Sequence, residues 1–173
     1  MICPSCGYAN IPGADTCEKC QFSLAPLDLP SGVDLVEEAF LTETVSSLKV
    51  REPVIVHEDA LLGIALDRMV AEKVGAVLVT DSEGKLAGIV TERDFLIKVV
   101  GKLLDYNRLP LRHFMQPAPE TVTMNDTVAL ALRKMDVGNY RHLPVVDEEN
   151  RPLGLLTARD AVRHITKLCE MIP

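Results

Sequence analysis

Gly88-Ile89-Val90-Thr91-Glu92-Arg93-Asp94 and Gly154-Leu155-Leu156-Thr157-Ala158-Arg159-Asp160 are one pattern written twice. Each runs glycine, two aliphatic residues, threonine, two variable residues, aspartate, and the second copy begins 66 residues after the first (154 − 88). The same ungapped shift superposes Val56 on Val122, Met69 on Met135, Val79 on Val145 and Asp81 on Asp147. A constant offset sustained over about 45 residues is hard to obtain by chance and marks a duplicated structural unit.

The periodicity inside each copy is the same. A short β-rich run (Pro53 to Val56; Thr121 to Thr123) is followed by apolar residues at helical spacing, Leu62, Ala65, Leu66 and Met69 in one copy and Val128, Ala131, Leu132 and Met135 in the other. Two apolar runs then flank a polar turn. They are 76–80 and 86–90 around Asp81-Ser82-Glu83-Gly84, and 143–146 and 153–156 around Asp147-Glu148-Glu149-Asn150. A closing helix starts at Thr91 or Thr157. The order β-α-β-β-α, twice, predicts an α+β fold in which the two halves pack together to cover their sheet faces. Each copy is led by an apolar stretch, Thr44-Val45-Ser46-Ser47-Leu48 or Pro110-Leu111-Arg112-His113-Phe114-Met115.

Outside the repeats the composition changes. Residues 1–22 hold four of the five cysteines, as Cys3-Pro4-Ser5-Cys6-Gly7 and Cys17-Glu18-Lys19-Cys20. Two cysteines separated by two residues form a tight metal-binding knuckle, and two knuckles supply the four thiolates of a tetrahedral site. Gly7 follows the second ligand, where the turn needs a positive φ. The segment has too little apolar surface to fold unaided, whereas structural zinc supplies about 10–16 kcal/mol of apparent binding energy. Zinc is expected; two disulfides, or an iron centre of rubredoxin type, are the alternatives. Residues 23–32 read as a linker, with two prolines and a glycine. Val33 to Leu48 has roughly helical spacing. The expected organisation is a zinc ribbon over 1–22, linker and lead helix over 23–43, a first repeat over 44–104 and a second over 110–171.

Charge and composition exclude several classes. Lys plus Arg total 18 against 25 for Asp plus Glu, a formal net charge of −7. That disfavours a general nucleic-acid binder, whose affinity rests on neutralised phosphates. The ribbon carries Asp15, Glu18 and a single Lys19, so a protein contact is expected there instead. The start of the chain has no basic n-region or apolar h-region, and the apolar stretch around Val74 to Val79 is far short of the ~18 residues that span a membrane. A cytoplasmic protein is expected, a compartment that disfavours disulfides. No Walker loop, no G-x-S-x-G elbow and no nucleophile–base–orienter set is visible, so no enzyme is expected. His57 and His164 lack a cysteine or carboxylate at ligand spacing, and Cys169 reads as a small buried hydrophobe.

With Val77-Leu78-Val79-Thr80-Asp81 and Leu143-Pro144-Val145-Val146-Asp147 ahead of the two Gly-x-x-Thr-x-x-Asp elements, the repeat resembles the CBS-domain family over about residues 44–169. The N-terminal segment resembles the short zinc ribbons that head many bacterial proteins. The CBS resemblance implies a pseudo-twofold tandem module that binds an adenosine nucleotide (AMP, ADP or ATP) in clefts between the repeats. It also implies a disc-like homodimer, with the helix faces around Leu62 to Met69 and Val128 to Met135 either as candidate contacts or as intramolecular core. In the family a basic residue just before the strand often reaches phosphate; Arg141 and His142 fit that role, with Arg93, Arg159, Arg112 and His113 as further candidates. The first copy has Gly75 and Ala76 at the positions of Arg141 and His142, so the two sites differ chemically.

The residues give a physical reason for such a site. Thr91 and Thr157 stand where a strand hands over to a helix, and the free N–H groups and dipole of a helix start favour an anion. Asp94 and Asp160 lie in the first helical turn, where a carboxylate suits the paired hydroxyls of a ribose. The glycine would let backbone and ligand approach closely. The same Thr-x-x-Asp spacing is also close to a capping box, worth about 0.5–2 kcal/mol as a helix cap alone. The sequence therefore supports a nucleotide sensor that signals to a protein partner, with a ligand-free adaptor or dimerisation module as the alternative.

Overall fold

The structure is a computed structural model that describes residues 1–24, 41–101 and 106–170. Most of the expected linker and lead helix, residues 25–40, lies outside the described residues, as do 102–105 and the side chain of Cys169. The chain divides into two compact units, one of residues 51–123 and 142–156, the other of 1–50, 124–141 and 157–173.

The first unit contains the strands. β1 (Ile55–His57) runs parallel to β2 (Ala76–Thr80), with Val56 opposite Val79. β3 (Leu86–Thr91) is antiparallel to β2, and the short β4 (Gln116–Pro117) pairs with β3. β5 (His142–Val146) and β6 (Pro152–Thr157) form a two-stranded sheet, and Val122 makes a parallel bridge to Val145. Side chains alternate along a strand, and β2 uses both faces. Val77 and Val79 join Val56 and Val90 in a core with Leu62, Ala65 and Met69 of α1 (Leu62–Glu72) and with Phe95 and Val99. Ala76 and Leu78 turn the other way, joining Leu86, Ile89, Val146 and Leu155. Every residue of β2 is therefore buried, and each fully buried Val or Leu contributes about 1.5–3 kcal/mol.

The expected turns and helix ends are present in both copies. Asp81 Oδ1 accepts the N–H groups of Glu83 and Lys85, each at 2.9 Å, and Asp147 Oδ1 does the same for Glu149 and Arg151. α1 and α3 (Val128–Gly138) each end on a left-handed residue, Lys73 or Asn139, whose φ is 53° or 51°. This left-handed cap returns N–H groups to the last open carbonyls. The closing helices differ. α2 (Glu92–Asp94) opens at once into a π turn over Phe95–Val99, which buries Phe95 and Val99, whereas α4 (Ala158–Glu170) stays regular.

The second unit holds α3, α4 and the four-cysteine segment. Here the apolar leads show an arrangement that the repeat does not announce. Thr44 bridges to Thr127, Val45 N–H donates to Asp126 O at 2.8 Å, and Ser46 N–H donates to Met124 O at 3.0 Å. The first copy's lead thus docks at the helix start of the second copy. In the strand unit, Pro110 bridges to Leu61 and Leu111 N–H donates to Ala60 O at 2.8 Å, so the second lead docks on the first copy. The two bridges are equivalent under the 66-residue shift (44 to 110, 61 to 127). Val45 and Leu111 are both fully buried.

Leu62, Ala65 and Met69 are buried in the core of their unit, and Val128, Ala131 and Met135 are buried too. The i, i+3, i+7 spacing is thus the buried stripe of each helix, the second of the two uses expected for it. The large apolar residues exposed on α1 are Ile64 and Val70.

Candidate functional site

At the first helix start, Thr91 closes a complete capping box. Asp94 N–H donates to Thr91 Oγ1 at 3.4 Å, while Asp94 Oδ2 accepts from Thr91 N–H at 2.9 Å and from its hydroxyl at 2.6 Å. Lys98, one turn on, adds an ion pair at 2.9 Å to Oδ1 and donates to Phe114 O at 2.7 Å. Burial works against the charge of Asp94, but the hydrogen bonds from Thr91 and Lys98 outweigh it and hold the carboxyl below its ordinary value. Its side chain remains 18% exposed.

The second start is built alike but sits deeper. Asp160 N–H donates to Thr157 Oγ1 at 3.2 Å, the Thr157 hydroxyl donates to Asp160 Oδ2, and Arg163 donates to Oδ1 at 3.0 Å. The Asp160 side chain is only 2% exposed. Lys98 and Arg163 lie outside the residues expected from the duplicated motif. A basic residue three or four positions after an acid on a helix is a legible pair signal.

The basic pair divides between the two units. Arg141 O accepts the Ala158 N–H at 3.0 Å, which ties the residue before β5 to the first residue of α4 beside Thr157. Gly75 O accepts the Glu92 N–H at 3.0 Å in the equivalent place. His142 lies instead beside the first copy's helix start, since a Cβ built on Gly75 would stand 3.4 Å from both His142 Nε2 and Glu92 Oε1. Among the further basic candidates, Arg112 pairs with Asp59, and Arg93 and Arg159 are exposed. His164 does find a carboxylate, Glu43, 121 residues earlier in the chain, a partner that no local spacing could reveal.

Gly88 has a different task from the one expected. A Cβ there would lie 2.6 Å from Met115 Sδ and 2.9 Å from Gln116 O. The glycine admits β4 across β3, so the close approach it permits is that of the protein's own backbone.

The four cysteines form the other candidate site. Their sulfurs all lie within 4.8 Å of one another. Cys3 to Cys20 is 3.7 Å and Cys6 to Cys17 is 3.6 Å, too long for disulfides. A tetrahedral ion with metal–sulfur bonds of 2.3 Å needs sulfur–sulfur edges of about 3.8 Å, so the set can hold one metal ion. The knuckles are near copies. Cys3 and Cys17 accept N–H bonds at 2.9 Å from Gly7 and Gln21, whose φ values are +69° and +61°. Asn10, missed by the sequence reading, joins them. Its amide donates to Tyr8 O at 3.0 Å and to Cys17 Sγ at 3.5 Å, and its oxygen accepts the Glu18 N–H at 3.0 Å. Burial pushes the Cys3 thiol up to about 12. Burial also opposes ionisation of Cys17, but the N–H groups of Cys20 and Lys19 and the Asn10 amide bring it down to about 6. The thiols thus differ in their readiness to supply the thiolate a metal needs.

The segment does not stand apart from the repeats. Thr127 Oγ1 accepts the Leu130 N–H at 3.1 Å as the cap of α3 and donates its own proton to Pro4 O. Arg133 Nη2 donates to Cys20 O, and its guanidinium lies 5.9 Å from the centre of the Phe22 ring.

Residues 45–101 and 111–167 each match the CBS domain, and the chain belongs to the CBS-domain family as a tandem pair. CBSCBSPB5, a CBS domain-containing protein of Arabidopsis thaliana, is 39% identical over 118 residues, covering 68% of this chain and 21% of that protein. The match therefore spans about a fifth of that relative's length. Inosine-5'-monophosphate dehydrogenase of Aquifex aeolicus is 34% identical over 132 residues, or 73% of this chain and 25% of the enzyme. Among solved structures, the CBS domain protein NE2398 superposes with a TM-score of 0.66 at 31% identity, covering 72% of this chain and 98% of that one. Two proteins solved with AMP superpose with TM-scores of 0.63. CBSX2 is 26% identical, covering 73% of this chain and 98% of its own, and PAE2072 of Pyrobaculum aerophilum is 27% identical, covering 72% and 98%. No helix among the described residues is long and apolar enough to cross a membrane.

Proposed function

We propose that this chain is a cytoplasmic regulatory protein, not an enzyme, that senses an adenosine nucleotide through its CBS pair and carries a structural zinc ion on Cys3, Cys6, Cys17 and Cys20. The observation that carries the reading is the duplicated helix start, in which the same threonine and aspartate meet the same strand-to-helix turn. The AMP complexes of two similar proteins support the choice of ligand. Phosphate would meet the N–H groups near Thr91 or Thr157, with Arg141 and His142 as basic partners, and ribose would meet Asp94 or Asp160. The fourfold thiolate set suits zinc.

The adaptor reading has one observation in its favour: both Thr–Asp pairs close on themselves, so neither needs a ligand to satisfy it. Calorimetry with AMP, ADP and ATP separates the two. A regulatory site should give a dissociation constant between about 1 μM and 1 mM; no heat and no melting shift at millimolar nucleotide leaves the adaptor reading. A homodimer and a protein partner belong to the same proposal, with the exposed apolar side chains Ile64, Val70, Leu96, Ile97 and Val100 available for contact. Light scattering that gives a monomer at high micromolar concentration removes the dimer.

A further inference from the structure

We infer that metal occupancy at the four cysteines is a second input to the protein, transmitted to the second repeat through α3 by Thr127 and Arg133. The inference rests on the metal reading above. Its starting point is how little else holds the cysteine segment together. The segment's own buried cluster is Cys3, Cys17 and Leu24, with Met1, Cys6, Ala14, Cys20 and Phe22 packed partly against it. Half of that cluster is thiol, so the geometry of both knuckles depends on what joins the sulfurs.

Each knuckle presents one carbonyl to α3. Pro4 O, beside Cys3, takes the Thr127 hydroxyl, and Cys20 O takes the Arg133 guanidinium, which also lies over Phe22. Thr127 and Arg133 are six residues apart, about 9 Å along a helix, so the metal clips the knuckles across nearly two turns. The contact at Thr127 is made by the same oxygen that caps the helix. From its far end, α3 runs through Asn139 and Tyr140 to Arg141, whose carbonyl holds the first N–H of α4 beside Thr157 and Asp160. The cysteine segment, α3, Arg141, Thr157 and Asp160 all belong to one compact unit. Loss of the metal releases both carbonyls and the Phe22 ring, loosens the start of α3, and disturbs the second helix start. The first helix start, with Thr91 and Asp94, belongs to the other unit and is not addressed by this clip. By linkage, a nucleotide at the second start and a metal at the cysteines change each other's affinity by the same factor.

The experiment compares the full chain loaded with zinc and stripped by a strong chelator under reducing conditions, with metal content measured by elemental analysis. Amide hydrogen exchange is followed across residues 128–138 and 76–91. Stripping should speed exchange in 128–138 by roughly 5- to 150-fold, the usual range for coupling between sites, and leave 76–91 unchanged. Arg133→Met should exchange in 128–138 near the stripped rate while still binding one zinc ion; Phe22→Leu, a milder change, should fall between. AMP titration should show weaker binding to the stripped protein, with the loss confined to the site that Asp160→Ala removes. Equal exchange of 128–138 with and without zinc overturns the inference, as does equal acceleration of both segments. A native chain that binds no metal removes the metal reading itself. A zinc-bound chain whose α3 ignores the metal removes only the coupling. If AMP gives no heat, the nucleotide reading falls and the exchange measurement still decides this one.

Discussion

Replacing Asp94 with alanine tests the two uses of the helix start against each other. The carboxylate accepts two bonds from Thr91 and one from Lys98, at 2.6 to 2.9 Å. Hydrogen bonds to a charged group are worth about 1.5–3 kcal/mol each, but these share one cap, and caps as a whole measure about 0.5–2 kcal/mol. The Lys98 pair is partly exposed and adds less than about 1 kcal/mol. A net loss of about 2 kcal/mol follows, or about 4–8 °C in melting temperature for a chain of this size. The assay is a thermal melt with and without millimolar AMP. Wild type at a hundredfold excess of ligand over Kd should gain about 2.7 kcal/mol, and the variant should lose whatever share of that gain the first helix start provides. A variant that melts within about 0.5 kcal/mol of wild type refutes the capping energetics. A variant destabilised as expected that keeps the full nucleotide shift, and does so together with Asp160→Ala, refutes the ligand role of both aspartates.

Other perturbations give equally definite outcomes. Gly88→Ala should destabilise by about 1–3 kcal/mol, the usual cost of overpacking, because Met115 can swing aside but Gln116 O is fixed in the β4–β3 pairing; a melting temperature equal to wild type counts against that contact. Asp94 has a lowered pKa in the folded protein, so its contribution to stability is complete above its unfolded pKa of about 3.9 and is lost as pH falls through the folded value. Denaturant titrations should therefore separate wild type from Asp94→Asn widely at pH 7 and progressively less in acid. Cys17→Ser should abolish retention of one zinc ion per chain, read by elemental analysis; full retention contradicts the four-thiolate site.

The strands and long helices were legible because their spacing and the 66-residue shift agreed at every level. The duplicated threonine and aspartate, and the paired cysteines, were legible as motifs with a mechanism. The role of Gly88 was not, because its neighbour β4 is two residues long and carries no periodic signal. Asn10 was hidden for a related reason: one amide spanning two knuckles leaves no spacing rule to find. The helix stripes left core and contact face undecided because inward and intermolecular faces share the same 3.6-residue period, and only burial tells them apart.

The docking of each lead on the opposite copy bears on where this chain can be cut. A fragment ending near residue 104 would keep the sequence of one whole repeat yet lack Leu111, which fills the core against α1, and would carry Val45 with nothing to cover it. Each half would thus expose one wanting slot and one wanting plug. Two such fragments mixed in solution have complementary defects, and re-forming the pair from separate pieces is the outcome that relieves both.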